Sequence, residues 1–80
     1  MVRYFLHQRY GDLQILDPDG QCFLDLADAE AEAIVSAHQM VGDALLRGVR
    51  PSYGKFQICD SSGAVLKELT FREAIGLWGL

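Results

Sequence analysis

Residues 26–48 read LADAEAEAIVSAHQMVGDALLRG, the longest helical signal in the chain. Ala is abundant here, and it favours helix because it gives up no side-chain entropy. Leu26, Ala29, Ala33, Ala37, Val41, Ala44 and Leu45 fall on one stripe at helical spacing, with Ile34 and Met40 on its edges. Small side chains along that stripe let the helix lie close to a sheet. Asp25 stands where an N-cap is wanted, and Asp28 and Glu30 sit near the positive end of the helix dipole. Arg47 falls in the last turn, Gly48 just past it, and Pro51 prevents resumption. At 1.5 Å per residue, a helix of about 22 residues spans ~33 Å.

Both flanks of this helix carry the period of strands. Residues 2–8 alternate and are rich in aromatic and branched side chains, which predicts a strand. RYGD supplies a hairpin turn around Gly11, and LQILD reads as a second strand over residues 12–17. DPDG is a turn: Asp17 can cap its own backbone, Pro18 presets the first dihedral and Gly20 accepts positive φ. QCFL makes a short extended connection with room for an extra strand. Beyond the helix, YGKFQICD is a strand, SSG a hairpin turn and AVLKELTF another strand. FREAIGLWGL closes the chain, with Thr70 and Glu73 spaced as a capping box for a short helix.

Hairpins give antiparallel pairs, and a long amphipathic helix must cover a sheet face. The expected fold is therefore α+β. An antiparallel ββαββ sheet carries the long helix on one face, with a short C-terminal helix, in a single domain over residues 1–80. Tyr4, Leu6, Phe56 and Ile58 are expected under the helix, leaving Arg3, Phe5, His7, Lys55 and Gln57 on the opposite face. Phe5 is as good a core residue as Tyr4, so the faces of the first strand can also be read reversed.

Composition limits the function. Eighty residues allow one modest core. The formal net charge of -4 disfavours broad phosphate binding, which needs many Lys and Arg contacts. Arg3, His7 and Arg9 interrupt the run after Met1, so it does not read as a secretory signal. No apolar run approaches the ~20 residues that span a bilayer. A cytoplasmic protein with reduced Cys22 and Cys59 is the expectation.

Some of these residues together resemble a known family. They are RYF with His7 near the start, DG in the turn, the DL before an Ala/Glu-rich helix, the late DSSGAVL, and the ending LTFREAI. The chain resembles a family of short bacterial proteins, chiefly of soil and plant-associated species, classed as a domain of unknown function. Members begin like R-Y-F-F-H and end like P-F-x-E-A; here Leu6 replaces the second Phe and Thr70 stands where Pro is usual. The resemblance implies a small α+β domain of the bacterial cytosol and transfers no catalytic residue. A fainter likeness, to antitoxins of the HicB type, rests on strand, strand, then a helix introduced by Asp-Leu. The glycine-rich and Pro-Gly-Cys signatures of that group are absent, so this is analogy at the level of fold.

Chemistry-bearing side chains are few. His7, Cys22, His38 and Cys59 are permitted metal ligands, but no two lie close enough in sequence for a zinc knuckle. The plain reading is two core thiols and two surface imidazoles. Cys22, a few residues before the helix and with His7 as a base, is a nucleophile only if the fold joins them. Asp17 and Asp19 belong to a turn that wants such residues anyway. The expectation is no enzyme, no cofactor, no metal and no small-molecule substrate.

Two binding readings remain. Arg3, Phe5, His7 and Arg9 alternate outward, and basic groups around an exposed ring can stack single-stranded bases. Leu16, Leu66, Tyr10, Trp78 and one of Tyr4 or Phe5 exceed what one helix can cover; either the tail FREAIGLWGL folds back over them, or those left exposed form an apolar patch that marks a partner surface. The leading expectation is a non-catalytic protein-interaction or regulatory module, binding a protein partner or a second copy of itself. Its surface would include Arg3, Phe5, His7, Arg9, Leu16 and Trp78. The alternative is an antitoxin-like, nucleic-acid-binding regulator using the exposed sheet face.

Overall fold

The structure is a computed structural model and describes residues 1–48 and 54–77. In chain order the elements are β1 (Val2–Tyr10), β2 (Leu13–Ile15), β3 (Gln21–Phe23), α1 (Leu26–Leu46), β4 (Lys55–Cys59), β5 (Val65–Thr70) and α2 (Phe71–Leu77). The α+β expectation holds: an antiparallel sheet ordered β2-β1-β4-β5, with β3 also on β1, carries one long helix and a short one. QCFL is indeed an extra strand.

Local chemistry sets each boundary. Gly11, at φ 61, opens a two-residue turn between the paired Tyr10 and Leu13. With a negative φ at Asp12, this is the II′ geometry whose twist suits a hairpin. The Asp25 carboxylate accepts the Asp28 N–H at 3.0 Å and caps α1. Arg47 is its C-cap, and the Gly48 N–H donates to the Leu45 carbonyl at 3.1 Å. In the β4–β5 turn the Asp60 carboxylate accepts from the Ser62 N–H and hydroxyl and from the Ala64 N–H. Those bonds hold its carboxyl below the usual carboxylate range, the Ser62 hydroxyl contributing most.

The Thr70 capping box forms in full. Glu73 N–H donates to the Thr70 hydroxyl at 3.0 Å, and the Glu73 carboxylate accepts from the Thr70 N–H and hydroxyl. The Phe71 N–H donates to the Gly54 carbonyl at 3.0 Å, tying the start of α2 to the start of β4.

The core lies between sheet and helices. Ala29, Ala33 and Ala37 are fully buried, and their small side chains let the backbone of α1 lie close to the sheet. Tyr4, Phe23, Ile34, Phe56, Ile58, Leu69, Phe71 and Ala74 complete the cluster, with Leu6, Tyr10, Leu26 and Met40 packed against it. This settles β1: Tyr4, Leu6 and Tyr10 face the helix, and Arg3, Phe5, His7 and Arg9 face away. Leu45 departs from its expected place on the stripe and is 63% exposed. The 21-residue helix is about 31 Å long, and Leu46 beside Leu45 in its last turn is exposed as well.

Candidate functional site

The outward face of β1 is where the sequence placed most of its candidate residues. β2 and β3 pair with successive stretches of this strand, Gln8 facing Ile15 and Tyr4 facing Gln21. Three residues of β1, Phe5 to His7, therefore face five, Leu16 to Gly20. The excess bulges out, and an ordinary ladder cannot satisfy the backbone across it.

Side chains replace the missing rungs. The Leu6 N–H donates to Asp17 Oδ2 at 3.2 Å, and the Gly20 N–H to Asp17 Oδ1 at 3.2 Å. The Asp17 N–H donates to His7 Nδ1 at 3.0 Å. His7 Nδ1 is thus the acceptor nitrogen, and the proton of its neutral ring sits on Nε2. Arg3 Nη1 donates to the Asp19 carbonyl at 2.7 Å. The Phe5 ring stacks on His7 with centroids 6.2 Å apart and planes at 28°. It also lies over Gly20, where an added Cβ would come 2.9 Å from both Phe5 Cε2 and the Tyr4 carbonyl. With φ at 67°, Gly20 is required twice over. Arg3, Phe5, His7, Asp17 and Gly20 together form a clasp that holds the Leu16–Gly20 loop to the sheet.

Beyond the clasp the outer face is polar. Arg9 lies opposite Lys55, which lies opposite Thr70. Gln14 donates to Gln57, Gln57 to Glu68 at 2.7 Å, and Lys55 to Glu68 at 3.1 Å. The Gln57 and Lys55 hydrogen bonds, then the charges of Lys55 and Arg9, hold the Glu68 carboxyl below its usual range. Arg9 Nε itself donates to the Gly11 carbonyl at 3.1 Å. Lys55 thus already pairs with a carboxylate on this face.

The thiols divide. Cys22 lies opposite Arg3 and is exposed, whereas Cys59 lies opposite Phe5 and is buried. Only one of the two is a core thiol, against expectation, because β3 ends the sheet and leaves Cys22 at its margin. Burial, aided by the Asp60 charge, pushes the Cys59 thiol up, away from the reactive thiolate. Among the described residues, no three His, Cys, Asp or Glu side chains are grouped to hold a metal ion.

Hollows open to solvent among the described residues. One of about 460 Å³ between α1, β5 and α2 is lined by Glu30, Ile34, Lys67, Leu69, Glu73 and Gly76. Lys67 there lies 3.4 Å from Glu30. Another, of about 280 Å³, is lined by Arg9, Gly11, Gly54, Lys55 and Thr70.

The profile of the family described as Domain of unknown function (DUF6894) matches residues 3–72. The chain belongs to the DUF6894 family. The matched span runs from Arg3 of the clasp to Arg72 of α2, so it takes in nearly every strand residue and the whole of α1. No curated protein and no solved structure matches the DUF6894 chain. Among the described residues, no helix is long and apolar enough to cross a membrane.

Measured against the expected surface, the structure brings Arg3, Phe5, His7 and Arg9 together on one face and commits the first three to the clasp. Leu16 opens the clasped loop and is 62% exposed. Trp78 lies outside the described residues. Leu66 is exposed, but Tyr10 is not left over: its ring meets Phe71 edge-on at 5.7 Å. The sequence reading missed Leu13 and Ile15, both exposed on edge strand β2. Their alternation matched a buried strand, and only the shortness of β2 beside the long β1 could have signalled otherwise.

Proposed function

We propose that the DUF6894 domain is a non-catalytic protein-interaction module that binds through its β2 edge and the adjoining Leu16. One observation carries this reading. Leu13, Ile15 and Leu16 are 61%, 45% and 62% exposed within one four-residue stretch of an edge strand. Large aliphatic side chains concentrated on an unpaired edge favour a partner surface over a solvated one. Two of the groups a catalyst would draw on are set to other tasks: His7 Nδ1 accepts from Asp17, and burial pushes the Cys59 thiol up.

Nucleic-acid binding at the outer face is the second reading, favoured by the Phe5–His7 ring pair beside Arg9 and Lys55. It stands second because Glu68 already neutralises Lys55 and the chain carries net negative charge.

Size-exclusion chromatography with light scattering, read at both protein and nucleic-acid absorbance, separates the two. The interaction reading expects a protein-only assembly of the chain, alone or with a co-purifying protein, that Leu16→Asp dissolves without changing the circular dichroism. Nucleic-acid absorbance that falls with salt and disappears in Arg9→Ala supports the second reading and overturns the first. A clean monomer unaffected by Leu16→Asp also overturns the first.

A further inference from the structure

Among the described residues, β2 and β5 stand at opposite ends of the strand order, and β2 suits a second copy of itself better. In a two-fold antiparallel pairing, facing residues share a sheet face, so the pairing must centre on a residue and not between two. At β5 the available centres are poor. Centring on Lys67 sets Lys67 against its own copy, and centring on Glu68 does the same for Glu68. The ladder also shifts register between Ile58 and Cys59, leaving Leu66 as a bulge on the β5 side. Like charges and bulges are how sheet edges resist pairing.

β2, three residues long, has neither a charge nor a bulge within it. Tyr10 and Leu13 flank the two-residue turn and so form a hydrogen-bonded pair, as do Gln8 and Ile15 two steps along. Gln14, opposite Arg9, is the intervening residue, so its N–H and C=O point to the free edge. A two-fold centred on Gln14 lets Gln14 exchange both backbone bonds with Gln14 of the second copy. It also sets Leu13 against Ile15 of that copy, and Ile15 against its Leu13, on the helix side. No other centre finds every residue of β2 a partner within the strand. β2 itself, Leu13–Ile15, carries no charge, so no like charges oppose within it.

We infer that the DUF6894 domain pairs with a second copy of itself along β2, in a register centred on Gln14, joining two sheets into one. This names the partner in the interaction reading and rests on it. The clasp fixes the far end of the edge by holding the Leu16–Gly20 loop away from the strand's continuation.

Site-specific crosslinking of the full chain tests the register. In a Cys22→Ser background, Gln14→Cys and Leu13→Cys are each exposed to oxidised glutathione. Hydrogen-bonded pairs place Cα atoms about 5.5 Å apart, within disulfide reach. The inference expects at least ten-fold more covalent dimer from Gln14→Cys than from Leu13→Cys. Gln14→Pro, which removes the edge N–H, is expected to weaken the dimer at least ten-fold in sedimentation equilibrium. A dimer that the Gln14→Cys variant fails to crosslink overturns the self-pairing and leaves the interaction reading standing. A chain monomeric at about 100 μM overturns self-pairing too, and the co-purification measurement then decides the broader reading.

Discussion

The two faces of the DUF6894 sheet are held by different physics. The inner face is apolar and dry: Ile58, Phe56, Tyr4 and Leu69 meet the alanines of α1, and its stability scales with buried area. Among the described residues, the outer face has no second layer. It is organised by hydrogen bonds, in the clasp at one end and the Gln14–Gln57–Glu68–Lys55 network at the other. Such bonds contribute little net stability, yet a broken one leaves its partner unsatisfied. A small domain can thus secure its fold with one face and shape its edges with the other.

Breaking the inner face is expected to cost most. Ile58 is fully buried at the centre of the sheet, and Ile58→Ala should lower unfolding free energy by about 2–5 kcal/mol in urea titrations. A loss below about 1 kcal/mol would mean that the inner face is not the seat of stability.

Opening the clasp comes next. Asp17→Ala strands the Leu6 and Gly20 N–H groups and should cost about 1–3 kcal/mol. Amide exchange sharpens the contrast: Leu6 and Gly20 should lose protection in Asp17→Ala while Ile58 keeps most of its own. Equal loss at all three would dissolve the distinction between the faces.

Acid acts on the polar face and the turns first. Glu68, Asp60 and Glu73 are each held below their ordinary range, chiefly by hydrogen bonds from Gln57, Ser62 and Thr70 respectively. A depressed folded pKa means that the unfolded chain binds more protons between the two values. The stability they contribute is present in full above the unfolded values near ~4 and lost as pH falls through the folded ones. Melting temperature should therefore hold from about pH 7 to about 5 and drop below about 4. Glu68→Gln should make that drop shallower; an unchanged acid limb would show that the network does not stabilise the fold.

The smallest effect is expected at the rim. Lys67 and Glu30 join β5 to α1 across partly exposed side chains, so Glu30→Ala should cost no more than about 1 kcal/mol. Melting in about 0.1 and about 1 M salt should differ less in this variant than in the parent.

How much of this was legible in the sequence follows from the range of each interaction. Local signals read well: the Asp25 cap, the Thr70–Glu73 box, the Gly20 turn and the alanine stripe act within four residues or one helix face. Period-two alternation separated Tyr4 and Leu6 from Arg3, Phe5 and His7, but it left open which set faces the helix. It carried no information about what lies across from each strand. That β2 is only three residues long, and that two extra residues bulge before β3, depend on pairing with β1. The clasp needed that register before Asp17 could be seen as a stand-in for a backbone carbonyl. Leu45 fell outside because periodicity does not know where the sheet stops.

The position of β1 has a consequence for synthesis. Its ladder partner on one side, β4, is made only after α1 and both of its connections. A growing chain can close the β1–β2 hairpin early, but Leu6 and Tyr10 wait for Ile58 and Phe71 to arrive. Joining β1 to β4 is the long-range contact of the fold, and long-range pairing is slow because loop closure is uphill before contacts reward it. Until β4 is made, the N-terminal half therefore leaves the β4 side of β1 without its ladder and part of its apolar face uncovered, the stage at which this domain most needs protection from its neighbours.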